Sequence, residues 1–177
     1  MKKFRLLLLD ANVVIALCAR SLWDAVIEGC EVHLAETVLD EAHFYVDEEN
    51  VRHDFDLKVY ASQRKLKVFS VLPSELASFK GQFDPLYLEK LDPGETESLA
   101  YLLNQKEQDY RFCSADKIVY RVLGALHLRD KGISLEEVLQ AIGLPRPLPR
   151  HFGKAYRDEW TTKGFSEGFR GVGLRKP

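Results

Sequence analysis

The sequence predicts an α/β fold with a central, mostly parallel sheet and helices on both of its faces. Three observations predict it. Residues 4–9 are a continuous apolar run of strand length, the pattern of a strand buried on both faces. Strand-like and helix-like segments then alternate along the chain, as in βαβ units. Two of the helical segments open on capping boxes, which fixes where they start.

Taken in order, a short helix is expected from Asn12, carrying Val13, Val14, Ile15 and Leu17, and a second over 22–28 that Gly29 ends. Residues 31–33 read as a brief second strand. Residues 37–45 read as a helix that puts Val38, Glu41, Ala42 and Tyr45 on one face. The stretch 47–58 is polar and acid-rich, and 67–72 reads as a third strand. Pro73 and Ser74 begin a helical stretch broken near Gly81 and Pro85. Asp92-Pro93-Gly94-Glu95 is a helix start, with Asp as cap, Pro at the first position and Glu as capping-box partner; that helix runs to about Gln105. A fourth strand is expected over 110–113, a helix over 116–128, and another from the Ser134–Glu137 capping box to Ile142.

After Gly143 the character changes. Residues 144–150 alternate with prolines and read as extended and stiff, and beyond them five glycines and five aromatics show no clear period. The expected organisation is a domain over 1–143 and a basic, aromatic arm over 144–177. From Gly143 onward eight basic residues face three acids, so a net charge of −2 conceals a +5 arm on a −7 body. An acidic body with a basic arm fits a cation-filled cleft beside a polyanion contact. Arg146, Arg150, Lys154 and Arg157, interleaved with Phe152, Tyr156 and Trp160, are the candidate nucleic-acid contacts; packing of the aromatics on the body or on a dimer partner is the alternative.

Composition narrows the remaining classes. An apolar fraction of 46% with 29% charge belongs to a globular chain, and 177 residues suit one domain with a sizeable core. No apolar run approaches the ~18 residues a bilayer requires, and Asp10 and Asn12 interrupt the first run too early for a signal peptide. A cytoplasmic protein without membrane contact is expected. Three cysteines without a CxxC pair, and histidines without HxxxH spacing, argue against a disulfide framework or zinc site and leave His33 and His43 structural roles.

Four acids stand where strands end or helices begin: Asp10, Glu41, Glu95 and Asp116. In an open parallel sheet the carboxyl ends of the strands form the ligand crevice. Four carboxylates there repel one another unless a cation neutralises them, and an oxygen-only donor set selects Mg²⁺ or Mn²⁺. Each acid also has a local explanation: Asp10 and Asp116 as caps, Glu41 as a solvated helix residue, Glu95 as a capping-box partner. Glu97 competes with Glu95 as the third acid, though it points about 200° round the helix from it. Ser114 and Asn12 are candidate orienting residues.

These segments together resemble the PIN-domain nucleases, the family that includes the VapC-like toxins. Residues 8–15 (LLDANVVI) resemble the opening motif, 37–41 (TVLDE) the second acid on the helix after strand two, 91–100 (LDPGETESLA) the GExE variant of the third motif, and 112–117 (FCSADK) the fourth, with Ala115 where the family usually has Asp or Asn. The resemblance covers roughly residues 4–142 and implies a PIN-like α/β/α sandwich. It implies metal-dependent hydrolysis of phosphodiesters in single-stranded RNA, with Asp10, Glu95 and Asp116 holding Mg²⁺ or Mn²⁺ and Glu41 binding a metal-bound water. It further implies a homodimer and, for a toxin, an antitoxin partner. Two other readings stand beside it: a degenerate PIN scaffold that binds RNA or protein without cutting, and a phosphatase with Asp10 as nucleophile, which wants a second acid where Asn12 stands.

Overall fold

The computed structural model describes residues 4–175, with side chains from Leu9 onward. The burial expected for the side chains of residues 4–8, and the arm's Lys176, lie outside the described residues. β1 (Phe4–Leu9) leads directly into α1 (Ala11–Ala19), because Asp10 is extended and its carboxylate accepts from Val13 N at 2.7 Å. α2 (Trp23–Gly29) follows a tight reversal in which Ser21 takes φ 53°. β2 (Cys30–Ala35) runs straight into α3 (Glu36–Glu41). A hairpin of β3 (Phe44–Val46) and β4 (Arg52–Asp54) comes next, then α4 (Leu57–Ser62), β5 (Leu66–Phe69), α5 (Pro73–Gly81) and the single turn α6 (Pro85–Leu88). α7 (Pro93–Asn104), β6 (Phe112–Cys113), α8 (Lys117–Ala125), β7 (Gly132–Ile133) and α9 (Leu135–Ala141) complete the body. After a 3-10 turn at Arg150–Phe152 the chain ends in α10 (Lys154–Phe169).

The main sheet has the order β5-β2-β1-β6-β7 with every neighbouring pair parallel, so the chain is α/β with a parallel sheet. Two hydrophobic clusters form the core. Cys113 belongs to one, with Val13, Leu17, Val38 and Leu139; Phe112 belongs to the other, with Phe83, Leu99 and Val122. Successive strand residues point to opposite faces, so the two clusters lie on opposite sides of β6. Both capping boxes form as expected: Asp92 with Glu95, and Ser134 with Glu137.

The structure corrects the sequence reading in four places. The helix expected over 37–45 ends at Glu41, and Tyr45 lies on a strand instead of sharing a helix face with Glu41. Phe44-Tyr45-Val46 favours a pleated surface, and a turn closed by Asp47 Oδ1 on Glu49 N and Val51 N, with Asn50 at φ 61°, makes the pairing with β4 possible. The strand expected over 67–72 ends at Phe69, and the one expected over 110–113 shrinks to two residues. The sheet gains a fifth, unexpected strand, β7, too short to carry a pattern; the buried Tyr120 hydroxyl ties it in, lying 2.7 Å from Ser114 O and 3.0 Å from Ile133 O.

The fourth correction concerns the arm. Two of its glycines, Gly164 and Gly168, belong to a 16-residue helix that crosses α8 at backbone contact. A Cβ on Gly164 would collide with the Arg121 carbonyl, and one on Gly124 with the Thr161 carbonyl; one on Gly168 would lie 2.8 Å from Ala125 Cα. The seam is closed by a buried pair in which Arg121 donates to both oxygens of Glu167 at 2.9–3.0 Å, joined by the Tyr87 hydroxyl at 3.1 Å. Small residues at 161, 164 and 168 have helical spacing, but a search for large apolar residues misses them.

Candidate metal centre

The carboxylates of Asp10 and Glu95 meet at one hydroxyl, that of Ser114, which also takes the backbone amide of Asp116. β1 delivers Asp10 to the carboxyl edge of the sheet, where its side chain is 2% exposed. Asp10 Oδ2 accepts from Ser114 Oγ at 2.5 Å and from Ala115 N at 2.9 Å, while Oδ1 caps α1. Ser114 Oγ lies 3.5 Å from Glu95 Oε1 and accepts from Asp116 N at 2.9 Å. Ser114 is fully buried and follows β6 directly, so the last residue pair of a two-residue strand determines where the hydroxyl sits. Asp116 caps α8 through Ile118 N at 3.0 Å.

The helix starts explain the rest. Glu95 is the third residue of α7, and its Oε2 accepts from Asp92 N at 3.2 Å, which turns the carboxylate back over the helix start towards Ser114. Glu41 ends α3. Its Oε2 would lie 3.4 Å from a Cβ on Gly94, so the glycine lets α3 approach the start of α7. Glu97 goes elsewhere: it accepts from Thr37 Oγ1 at 2.7 Å and from Val71 N at 3.1 Å, tying α7 to α3 and the end of β5. Of the two candidates for third acid, Glu95 joins the Asp10 group and Glu97 does not. Asn12 is exposed on the first turn of α1 and lines a neighbouring cleft, without a contact to the acids.

Electrostatics follow the geometry. Burial pushes the Glu95 carboxyl up to about 9, with further upward contributions from Asp92, Asp10 and Asp116. Burial also raises Asp10, against the lowering effect of its hydrogen bonds from Ser114, Ala115 and Val13. Glu41 is raised by burial and by Asp92. Asp92 thus acts on three of the four acids. The sequence marks it only as a cap, and capping spacing gives no sign that its charge also faces the cluster.

The donor set suits a hard divalent cation in kind, being oxygen-only, and in charge, since its acids destabilise one another's ionised forms. It does not close as a coordination shell: among the described residues no three Asp, Glu, His or Cys side chains are grouped so as to hold a metal ion. The chain's own donors engage both oxygens of Asp10 and one of Asp116. His33 is buried and paired with Glu31 Oε1 at 3.1 Å, away from this group.

The nominated basic contacts behave differently from the acids. Arg150 pairs with Glu159 at 2.8 Å, Lys154 with Asp158 at 2.6 Å, and Arg157 with Glu137 at 2.8 Å and Asp158 at 3.1 Å. All three are paired within the chain, Arg150 and Lys154 at exposed positions and Arg157 at a part-buried one, and only Arg146, exposed on the proline-rich link, has no such pair among the described residues. Tyr156 is held close enough to the site for Asp116 to raise its phenol, after burial. Lys117 and Lys163 lie over the Trp160 ring at 5.2 and 4.9 Å. Beside Asp116 opens a cleft of about 450 Å³, bordered by Asn12, Arg20, Tyr45, His151 and Phe152. The arm therefore supplies one wall of that cleft.

No helix among the described residues is long and apolar enough to cross a membrane. A scan against protein-family models, a search of curated proteins and a search of solved structures each returned no match.

Proposed function

We propose that the chain is a divalent-metal-dependent nuclease that hydrolyses phosphodiester bonds of single-stranded RNA, built on a PIN-like α/β/α sandwich. The observation that carries this reading is the meeting of the Asp10 and Glu95 carboxylates at Ser114 Oγ, with the backbone amide of Asp116 on the same hydroxyl, at the carboxyl edge of a parallel sheet and in the order of the sequence motifs. A buried carboxylate such as Glu95, raised by burial and by Asp92, Asp10 and Asp116, is costly to ionise without a cation. Asp10, Glu95 and Asp116 would hold Mg²⁺ or Mn²⁺, with Glu41 on a water of the ion. When bound, such an ion supplies a water of lowered pKa and polarises the phosphate. The chain's part is to exclude bulk water at Asp10, keep its carboxylate oriented through Ser114 and Ala115, and present the start of α8 to the developing negative charge. A cytoplasmic homodimer, with an antitoxin if the chain is a toxin, goes with this reading.

The purified protein should cut single-stranded RNA in Mn²⁺ and not in EDTA, and Asp10→Asn should lose the activity while retaining the wild-type circular dichroism. Cleavage that survives in Asp10→Asn removes the site. A second reading, an RNA- or protein-binding scaffold that does not cut, is favoured by the saturation of Asp10 and by the absence of a three-ligand group among the described residues. It predicts binding without a metal-dependent product. The same saturation and burial speak against Asp10 as a phosphatase nucleophile.

A further inference from the structure

The cleft beside Asp116 has a construction the acid cluster does not explain. Arg20, at the end of α1, is half-buried, and its Nη1 donates to Ala16 O at 3.1 Å; its guanidinium lies 5.7 Å from the Phe152 ring centre. Among the described residues no carboxylate pairs with it, although the body is acidic and the other arginines nearby are paired. A guanidinium has five donors in a planar fork, and this one uses a single donor on the chain. Ile15 and Ala19 line the α1 side of the cleft, His151 and the largely buried Phe152 line the arm side, and Asp116 and Asn12 lie in the same lining. Its far rim is Tyr45, stacked on His53 at 4.8 Å, with His53 in turn held by Asp47 at 2.7 Å. A positioned cation, an apolar wall and a volume in the range of small-ligand sites describe a place for something flat and anionic.

We propose that this cleft, between α1, the hairpin and the Arg150–Phe152 turn, seats one nucleotide of single-stranded RNA, with a phosphate on Arg20 and the base and ribose against Ile15, Ala19 and Phe152. The proposal rests on RNA as the substrate and deepens it, because the cleft opens beside Asp116 and so sets which nucleotide lies next to the acids. It also gives the segment after Gly143 a role: the proline-rich link delivers Phe152 to the cleft, whereas Arg150, Lys154 and Arg157 are engaged in ion pairs. Apolar contact and a phosphate contact involve no base-edge readout, so the seat selects single strands without reading their sequence.

The test uses the full chain in EDTA, where nothing is cut, and a fluorescein-labelled 2′-O-methyl octauridylate read by anisotropy. Arg20→Gln removes the charge, and Ala19→Trp fills the cleft from an exposed helix position. Each should weaken binding about tenfold, and Arg20→Gln alone should reduce the slope of log K against log salt by roughly 0.7, the value for one phosphate contact on a single strand. Arg150→Gln should bind within twofold of wild type. Binding within twofold for Arg20→Gln, or no binding by the wild type, overturns the proposal. Arg20→Gln decides alone if Ala19→Trp lowers the thermal midpoint. Loss of RNA binding in Arg20→Gln with no Mn²⁺-dependent product from the wild type keeps the seat and removes the nuclease reading. Mn²⁺-dependent cutting that Arg20→Gln leaves unchanged, with unchanged binding, does the reverse.

Discussion

Ser114 Oγ donates to Asp10 Oδ2 at 2.5 Å while it accepts the Asp116 amide at 2.9 Å, so one buried hydroxyl joins residues 106 positions apart in sequence. The bond lowers the carboxyl it touches and holds the first turn of the β6–α8 loop against the end of β1. Ser114→Ala leaves the part-buried Asp116 N–H without its acceptor and removes one of the three hydrogen bonds on Asp10. The expected cost is about 1–3 kcal/mol in urea-unfolding stability, with an unchanged m-value. A loss below about 0.3 kcal/mol would show that the hydroxyl bridge is incidental.

Glu95 gives a pH dependence whose sign can be stated. Its carboxyl holds a proton in the folded chain up to about 9, against 4.5 for a free glutamate side chain. Between those limits folding takes up a proton, so stability falls as pH rises through the window, levels off above about 9, and is unaffected below about 4.5. Glu95→Gln removes this penalty and keeps an acceptor for Asp92 N. In metal-free buffer it should exceed the wild type by roughly 1–3 kcal/mol at pH 8 and match it at pH 4. A variant less stable than the wild type at pH 8 would mean that Glu95 is ionised and satisfied in the native state.

Metal linkage offers an independent reading of the same site. If the acids hold Mn²⁺, binding must expel the Glu95 proton, so the thermal shift produced by Mn²⁺ should be larger at pH 8 than at pH 6. Differential scanning fluorimetry at fixed ion concentration measures it. Asp10→Asn should reduce the shift at both pH values. An equal shift in wild type and variant would place the ion elsewhere.

The α8–α10 crossing predicts a pair of opposite outcomes for one kind of substitution. Gly164→Ala puts a methyl into the Arg121 carbonyl and should cost about 1–3 kcal/mol or more, with new protease sensitivity in the 144–150 link. Gly81→Ala, at the end of α5 with nothing within 4 Å of the added atom, should be neutral or stabilising by up to about 1 kcal/mol. Thermal melts and limited trypsin digestion of the two variants decide it. Equal behaviour would mean that α10 is not seated on α8 at backbone contact.

Deleting residues 144–177 is then a test of folding before it is a test of binding. It strips Glu167 from Arg121 and uncovers Gly124 and Ala125, so the truncated chain should be markedly less stable in urea than the full one. A truncated chain of wild-type stability would return the segment to the status of a detached arm.

Much of this protein is legible in one dimension because the signals are local. The apolar run at β1, the Asp92–Glu95 and Ser134–Glu137 capping boxes and the cap at Asp116 depend on neighbours within four residues, and each takes the expected conformation. Candidate acids can be picked out for the same reason, since an acid after a strand or at a helix start is visible in the string. Tertiary structure alone decides what those acids face. It turns Glu95 towards Ser114 and Glu97 towards Thr37, adds the charge of Asp92, and pairs Arg150, Lys154 and Arg157 with carboxylates. It also seats Gly164 and Gly168 of α10, which follow no apolar period, against α8, because what matters at that crossing is the absence of a side chain, and only the approach of a second backbone makes that absence favourable.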